Sequence, residues 1–314
     1  MAIRLLRGLH NPGLEFFEAK RKCVATIGNF DGVHLGHQAV ISGLAQEGKR
    51  LGLPVVIMLF EPQPLEYFQG ENGPARITRL REKVLQLKQL PVDEVYVLRF
   101  SRVLADWEPE YFIQEVLCNS LNVKYLVVGD DFHFGKARRG TFSLLQSWGH
   151  KMGFDVSDTQ PYLLQGKRVS STLIRDALAK GDLDSAALFL GRSFSVCGRV
   201  VHGDKRGRTL GFPTANVEMF RKTSPVVGVF AITLTGLGGQ VIRGVANVGN
   251  RPTVKGIGLL LEVHLFDFNE DIYGRYVEVH FKKKIRDEKH FQSLEELKLQ
   301  IREDITVAKS SLDY

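Results

Sequence analysis

Residues 23–37 read CVATIGNFDGVHLGH, and this stretch decides the fold of the first half of the chain. Its first five residues form an apolar run typical of a short buried strand, which ends at Gly28. From His37 to Leu51 apolar residues recur with helical spacing, and the Gly-Leu-Pro sequence at 52–54 predicts the end of that helix. A strand that leads through a glycine-rich loop into a helix indicates an α/β unit.

The same alternation continues along the first half of the chain. Apolar runs at 55–59, 95–98 and 125–128 predict buried strands, and amphipathic patterns at 78–90 and 111–121 predict helices. Strands and helices in this order indicate a Rossmann-like α/β domain with a parallel sheet covered on both faces. Ligands bind such sheets at the carboxyl ends of the strands, so we expect a site in the loops that follow them.

The second half has a different pattern of predicted secondary structure. From about residue 194, β-rich runs lie between glycine turns, at 195–201, 229–234, 244–248, 259–266 and 276–281. They predict an antiparallel β-barrel or sandwich. A helical pair at 171–180 and 182–190 precedes this change, and an amphipathic pattern over roughly 293–304 predicts a terminal helix. We therefore expect two domains, 1–190 and 191–314.

Composition excludes several classes of protein. The 314 residues are 44% hydrophobic and 25% charged, which is ordinary for a globular protein and excludes disorder, collagen and disulfide miniproteins. Three scattered cysteines without a CxxC pair indicate a reducing compartment. The longest apolar run, at 55–60, is far too short to span a membrane, and the first ten residues lack a signal-peptide core. We expect a cytoplasmic protein that does not enter a membrane.

The net charge of +7 lies mostly in the second half. Residues 191–314 carry 19 basic and 14 acidic side chains, against 23 and 21 in residues 1–190. Such a basic half fits a nucleic acid or small phosphorylated ligands equally well. Because the chain has no zinc-finger spacing or RNP-type motif, nucleic acid is the minority interpretation.

His34 and His37 are the most informative residues of the first half. They are three positions apart at the start of a helix, so both imidazoles can face the same side of an anion-binding helix N-terminus. Gly36 between them lets a phosphate chain approach the backbone. This pattern predicts a triphosphate whose bond breaks at the α-phosphorus. The alternatives are a structural histidine pair or a metal pair, although no third metal ligand stands nearby.

A second segment reads SSTLIR at 170–175. Ser170, Ser171, Thr172 and Arg175 at the start of a helix can contact the same triphosphate, although a serine or threonine there is most often only an N-cap.

Together the two segments resemble the HxGH and Ser/Thr-rich signatures of the nucleotidylyltransferase superfamily. That resemblance implies direct in-line attack on the α-phosphate with release of pyrophosphate and no covalent intermediate. Two further segments, FEPQP at 60–64 and GDDFHFG at 129–135, combine aromatic residues with hydrogen-bond acceptors after predicted strands. With them, the first half resembles the FMN adenylyltransferase module of the bacterial bifunctional riboflavin kinase/FAD synthetase family.

The resemblance implies roles for residues of the first half. It implies that His34, His37 and Arg175 are catalytic and that Phe60, Pro62, Asp131 and Phe132 bind the flavin. The ATP-binding residues that it implies here are Gly28, Phe30, Asp31, Gly36, Ser170, Ser171 and Thr172.

The decisive segment of the second half reads GRVVHGDKRGRTLGFPTAN at 198–216. Its glycines and cations suit phosphates, but the segment is not a P-loop, and its composition alone fits a solvated hairpin equally well. Glu262 stands in a predicted apolar strand, where it is either an outward-facing residue or a functional carboxylate.

The sequence GFPTAN at 211–216 resembles the riboflavin kinase motif. The resemblance implies that Thr214 and Asn216 hold Mg²⁺ and the ATP phosphates and that Glu262 is the general base. It further assigns Phe212 and Arg286 to the flavin. The other ATP-binding residues that it implies are Gly203, Lys205, Gly211 and Pro213.

The resemblance runs from Arg4 to about Asp304 and implies ATP-dependent phosphorylation of riboflavin to FMN, followed by adenylylation of FMN to FAD. We expect ATP and Mg²⁺ to serve both steps, and we expect no nucleic acid and no obligate protein partner. Two rival hypotheses stay open at this point. One is a nucleotidylyltransferase with another acceptor and a regulatory barrel, and the other is a nucleic-acid-binding module built on the basic barrel.

Overall fold

The computed structural model describes residues 3–8, 21–129, 131–203, 211–253 and 256–313. Its contacts divide the chain into two compact units. The first comprises Met1–Pro74 and Arg79–Val169, and the second comprises Ala75–Thr78 and Ser170–Tyr314. The predicted helical pair is therefore grouped with the barrel, while the domain boundary at residue 190 stays a prediction.

Within its described residues, the first unit contains a six-stranded sheet in which every neighbouring pair is parallel. The strand order is β1-β4-β3-β2-β5-β6. The strands are β1 (Arg4–Gly8), β2 (Cys23–Ile27), β3 (Val55–Glu61), β4 (Glu94–Arg99), β5 (Val123–Val128) and β6 (Asp155–Asp158). The predicted parallel sheet is confirmed. The edge strands β1 and β6 lie beyond the four predicted strands and lack a long apolar run.

Helices connect these strands and cover the sheet. They are α1 (Leu35–Leu51), α2 (Pro64–Gln69), α3 (Leu80–Leu87), α4 (Arg102–Ala105), α5 (Pro109–Phe112) and α6 (Phe142–Met152). The unit also holds 3₁₀ turns at Gly70–Asn72 and Lys136–Arg138 and a small hairpin of β7 (Leu163–Leu164) and β8 (Lys167–Arg168). The helix predicted over 111–121 is instead α5 followed by a π-helical stretch, Ile113–Ser120. At the end of this stretch the N–H of Leu121 donates a hydrogen bond to the carbonyl oxygen of Val116.

Both faces of the central strands are buried. All five residues of β2 are buried, and successive residues belong to different apolar clusters, Ala25 with Met58 on one face and Val24 with Ile57 on the other. This alternation follows from the period of two in a strand. Burial of each valine, isoleucine or methionine side chain contributes about 1.5–3 kcal/mol, and this buried strand anchors the start of the β2–α1 loop.

The second unit is built around a closed barrel with the strand order β10-β13-β12-β11-β14-β9. Its neighbouring strands are antiparallel. The strands are β9 (Ser195–Val201), β10 (Ala215–Glu218), β11 (Gly228–Leu237), β12 (Gln240–Thr253), β13 (Gly256–Leu265) and β14 (Tyr276–Arg286). Of the two predicted architectures, barrel and sandwich, the structure has the barrel.

Three helices of the described second unit accompany the barrel. They are α7 (Ser171–Lys180), α8 (Leu183–Leu190) and α9 (Leu294–Ser311). Helix α9 lies on the barrel, where Ala308 joins a buried cluster with Val229 and Val245. Helix α9 ends at Ser311, seven residues beyond the predicted end at 304, and this apolar contact lies in the added part.

Candidate active sites

The loop between β2 and α1 brings His34 and His37 together. His34 is the N-cap of α1, and its Nδ1 accepts a hydrogen bond from the backbone N–H of His37 at 3.3 Å. The two imidazole rings stack with their centroids 3.6 Å apart. His34 is buried and His37 is partly buried. The two side chains therefore lie on one side of the helix N-terminus, as their spacing predicts.

The same loop has an unusual backbone. Phe30, Gly32 and Val33 have φ values of 46°, 85° and 42°, in the region that L-residues rarely adopt. The Phe30 ring is buried, and its centroid lies 4.8 Å from that of His37. A Cβ added at Gly28 would lie 3.1 Å from the Phe30 ring. The glycine at position 28 therefore leaves room for the aromatic contact.

Gly36 lies between the two histidines. A Cβ at this position would lie 3.2 Å from the His34 imidazole and 3.5 Å from the carbonyl oxygen of Val169. Any larger residue would press on the histidine pair. Asp31, also predicted to contact ATP, is buried in the same loop, at 2% exposure.

One ring nitrogen of His37 is buried. Its Nδ1 has no hydrogen-bond partner among the described residues. Burial, followed by the nearby His34 and Lys83, lowers the pKa of His37 well below its usual value. The imidazole is therefore neutral near pH 7 and can donate or accept one hydrogen bond at each nitrogen, according to its tautomer.

Lys83 is close to this pair and was not among the predicted site residues. It is fully buried in α3, and its Nζ donates a hydrogen bond to the backbone carbonyl of Asn29. A sequence signal for it exists. Lys83 stands three residues after Leu80 and four before Leu87, on the apolar stripe of an amphipathic helix.

The predicted flavin-binding residues of the first unit lie in different environments. Phe60 is 9% exposed and packs in the core, with its ring 5.9 Å from that of Phe100. Phe132 packs partly buried against the same core and stacks on Phe134 at 5.6 Å, whereas Asp131 is exposed. Pro62 follows a cis peptide bond at the end of β3.

Aromatic surface near the end of β3 comes from residues outside the predicted set. Phe68 and Tyr67 on α2 are 60% and 39% exposed. Both rings also contact Phe100, at 5.7 and 5.3 Å. Exposed aromatic side chains that are held by a neighbouring ring suit a flat heteroaromatic ligand.

The segment 170–175 lies in the second unit, at the start of α7. Ser170 is the N-cap, and its hydroxyl accepts a hydrogen bond from the N–H of Leu173 at 3.2 Å. The capping alternative for Ser170 is therefore present in the structure. Ser171 and Arg175 are partly buried, and Thr172 is exposed.

A cavity of about 550 Å³ lies between the barrel and α9 in the second unit. Four predicted residues line it: Phe212, Thr214, Glu262 and Arg286. Apolar side chains of the barrel and of α9 supply much of the remaining wall; they include Val229, Val245, Leu297 and Ile301.

Glu262 occupies the centre of a polar row across three strands. On β13 it pairs in register with Asn216 of β10 on one side and with Asn247 of β12 on the other. Glu262 and Asn247 both line the cavity, and Asn216 is 8% exposed. Gly203 lies directly against the Asn216 side chain, so a Cβ there would displace it. Asn247 was not predicted, although a polar residue in an apolar strand is a signal.

Arg286 is held by a carboxylate from the terminal helix. Its Nε and Nη2 donate to Asp304 at 2.9 and 2.8 Å, and Asp304 is 3% exposed. The guanidinium also lies 5.6 Å from the Phe291 ring centroid. This two-point contact fixes the plane of the guanidinium in the cavity wall.

A smaller cavity of about 230 Å³ adjoins the GFPTAN segment. Pro213, Thr214 and residues 268–273 line it. Thr214 thus stands in the walls of both cavities. His264 also anchors this segment, since its Nδ1 hydrogen bonds with the carbonyl oxygen of Pro213 at 2.8 Å. Gly211 has a φ of 86°, which favours glycine, and Lys205 lies outside the described residues.

Comparison with known proteins decides the family. A family model described as FAD synthetase matches residues 16–173, and one described as riboflavin kinase matches residues 190–312. The chain belongs to the bifunctional riboflavin kinase/FMN adenylyltransferase family. It is thus an ATP-dependent enzyme of flavin synthesis with a FAD synthetase half and a riboflavin kinase half.

Relatives called bifunctional riboflavin kinase/FMN adenylyltransferase match this chain along nearly its whole length. The relative from Escherichia coli K12 is 52% identical over 98% of the chain and 97% of its own length. The relative from Haemophilus influenzae is 48% identical over 98% of the chain and 99% of its own length. A crystal structure from Streptococcus pneumoniae, called a macrolide-efflux protein, matches with a TM-score of 0.79 at 31% identity, covering 94% and 96% of the two chains.

Two observations concern the remaining predictions. None of the helices in the described residues is both long and apolar enough to cross a membrane. Nor do the described His, Cys, Asp and Glu side chains form a cluster of three that could hold a metal ion. Among the described residues, no third His, Cys, Asp or Glu therefore joins His34 and His37 as a metal ligand.

Proposed function

We propose that the second unit transfers the γ-phosphoryl group of ATP to the 5′-hydroxyl of riboflavin and that the first unit adenylylates the resulting FMN to FAD. The observation that carries this proposal is the position of Thr214 in the walls of two adjoining cavities, with Glu262 lining the larger one. Phosphoryl transfer needs a donor and an acceptor on either side of one reacting group, and two cavities that share a wall residue support that arrangement.

The larger cavity suits the flavin. Its apolar lining from Val229, Val245, Leu297 and Ile301 can hold the isoalloxazine ring, while Arg286 offers hydrogen-bond donors at a fixed angle. A volume of about 550 Å³ lies within the usual range for small-molecule sites.

Glu262 serves as the general base in this proposal. Its carboxylate accepts the proton of the 5′-hydroxyl as the oxygen attacks the γ-phosphorus, and ADP leaves with the electrons of the broken bond. Asn216 and Asn247, in register on either side, keep the strand position of Glu262 fixed.

Thr214 and Asn216 fit a divalent cation that is shared with ATP. Mg²⁺ prefers oxygen ligands and commonly binds through one or two protein oxygens together with substrate phosphates and water. A hydroxyl and a buried amide supply such oxygens. When bound there, Mg²⁺ would neutralise phosphate charge.

In the first unit, His34 and His37 would contact the triphosphate. The neutral His37 imidazole can donate a hydrogen bond to a phosphate oxygen at the N-terminus of α1, where charge grows as pyrophosphate leaves. The FMN phosphate oxygen attacks the α-phosphorus, and the bond to the leaving pyrophosphate breaks. Ser171, Thr172 and Arg175 belong to the second unit, and their role as phosphate contacts is a proposal that rests on the family resemblance alone.

The flavin-binding residues of this unit are also part of the proposal. Phe60, Pro62, Asp131 and Phe132 are assigned to FMN, and exposed Phe68 is added to them. We further infer that both reactions take place in the cytoplasm, because ATP is the shared substrate and the three cysteines are unpaired.

A flavin time course tests the proposal. The full chain is incubated with riboflavin, ATP and Mg²⁺, and the flavins are separated by chromatography. We expect FMN to appear before FAD. His37→Ala should abolish FAD formation while FMN still forms, and Glu262→Ala should stop FMN formation while supplied FMN is still converted to FAD.

The two variants serve as controls for each other, since each keeps one activity as a check on folding. Loss of both activities in a folded single variant would contradict the assignment of independent sites. FMN without FAD from the wild type would contradict the proposed role of the first unit, and no new flavin at all would overturn the whole proposal.

A further inference from the structure

Lys83 carries a charge into the interior of the first unit. Its side chain has no exposed surface, and it is the one lysine or arginine among the buried polar residues of the described chain. Burying an ammonium group is costly unless hydrogen bonds compensate it. A lysine at such a position therefore needs a reason beyond packing.

One hydrogen bond of Lys83 reaches the loop that follows β2. Its Nζ donates to the backbone carbonyl of Asn29, which stands between Gly28 and Phe30 in the loop that follows β2. Phe30 and Val33 in this loop have positive φ values, which L-residues adopt only at a cost in free energy. The bond from Lys83 helps to compensate that strain.

The loop in turn positions His37. Phe30, the residue after Asn29, lies with its ring centroid 4.8 Å from that of the His37 imidazole, which also stacks on His34 at 3.6 Å. A shift of the Asn29 peptide would move Phe30 and leave one side of His37 unsupported. Because the Lys83 ammonium is fully buried, it acts through this chain of contacts and does not touch a substrate.

We propose that Lys83 is a positioning residue for adenylyl transfer, which fixes the Asn29 carbonyl and thereby holds Phe30 against His37. This inference rests on the proposed function of the first unit. The charge of Lys83 also acts on His37 together with that of His34 from α1, while Asp31 lies buried in the same loop. The competing explanation is that Lys83 contributes only to the stability of the core.

Two substitutions in the full chain separate these explanations. Lys83→Met keeps the length of the side chain and removes the donor and the charge, whereas Lys83→Arg keeps both. The matched control is Lys88→Met, because Lys88 is exposed at the end of the same helix. The readouts are kcat and KM for FAD formation from supplied FMN, FMN formation from riboflavin, and the NMR titration of the His37 imidazole.

We expect Lys83→Met to lower kcat for FAD formation on the order of 100-fold, as misplacement of a catalytic group by about 1 Å does. FMN formation should stay within about twofold of the wild type, since it belongs to the other unit. The His37 imidazole should shift in the NMR spectrum and titrate at higher pH, because a nearby positive charge is gone. Lys83→Arg should restore most of the activity.

An unchanged kcat and an unchanged His37 titration in Lys83→Met would overturn the inference. If Lys83→Met fails to fold, as judged by circular dichroism, Lys83→Leu removes the donor and the charge with a shorter apolar side chain. Wild-type kcat and titration in that variant would equally overturn the inference. Absence of FAD formation by the wild type would instead contradict the proposed function, and the NMR chemical shifts of the His37 imidazole in Lys83→Met would still show whether Lys83 positions that ring.

Discussion

Replacing Asp304 by asparagine isolates the charge that holds Arg286 in the wall of the large cavity. Asparagine has nearly the same shape as aspartate, but it keeps one acceptor oxygen and places an amide N–H₂ where the second oxygen was. In the wild-type chain, Arg286 donates hydrogen bonds to Asp304 from two nitrogens, at 2.9 and 2.8 Å. In Asp304→Asn we expect one of these bonds and the ion pair to be lost.

The structure sets the size of the effect. Breaking a buried ion pair by removing one partner costs about 3–5 kcal/mol. The Arg286 side chain keeps 18% exposure and the asparagine oxygen keeps one bond, so we expect about 2–3 kcal/mol. At about 2–4 °C per kcal/mol for a unit of this size, the Tm of the second unit should fall by roughly 4–12 °C.

The assay combines calorimetry with flavin kinetics. Loss of one charge-assisted hydrogen bond that orients Arg286 should raise the KM for riboflavin about tenfold, which corresponds to about 1.4 kcal/mol. Conversion of supplied FMN to FAD should be unchanged. The control is Asp287→Asn, because the Asp287 carboxylate is 85% exposed and forms a surface ion pair with Lys284. Such pairs contribute about 1 kcal/mol at most.

A wild-type KM for riboflavin in Asp304→Asn would refute the argument that Asp304 orients Arg286 toward the flavin. An unchanged Tm would refute the argument that the ion pair stabilises the contact between α9 and the barrel. If Asp287→Asn had the same effects as Asp304→Asn, the changes would come from net charge and not from the buried contact.

Folding lowers the pKa of His37, so at mildly acidic pH the unfolded chain binds a proton that the folded chain does not. The free energy of unfolding should therefore fall as the pH drops below about 6.5. Urea titrations should show that His37→Gln removes this part of the pH dependence. Burial raises the pKa of Cys23 to about 12, so iodoacetamide should label the partly exposed Cys118 first, as checked by peptide mass spectrometry. Chelation with EDTA should stop FMN formation, and added Mg²⁺ should restore it, whereas activity that survives EDTA would contradict the metal role of Thr214 and Asn216.

Much of the fold is predictable from the sequence, because local pattern and tertiary environment agree there. The apolar runs at Cys23–Ile27 and Ser195–Val201 are observed as β2 and β9 without any change in their ends. Elements extend beyond prediction where a neighbour supplies the hydrogen bonds. Strand β12 is much longer than its apolar run at 244–248, since it pairs with β11 from Gln240 and with β13 from Gly244 to Thr253.

The site is predictable only where a motif is local. His34 and His37 lie within one helical turn, so their spacing alone places them together. Asn247, Asp304 and Lys83 reach their sites through tertiary packing, and no short-range pattern joins them to a motif. Each nevertheless interrupts an apolar stripe, as Asp304 does three residues after Ile301. A charged or amide side chain on an expected buried face is thus a usable signal.

Strand β13 also limits how the barrel can tolerate insertions and deletions. Leu261 and Val263 are fully buried, and Glu262 alternates with them on the opposite face of the strand. Because this alternation has a period of two, deleting one residue upstream within the strand would exchange the two faces and turn Glu262 away from the cavity. Deleting two residues would leave every side chain on its original face of the strand. Length variation within β13 should therefore survive selection in even steps, while loops outside the barrel vary in any number.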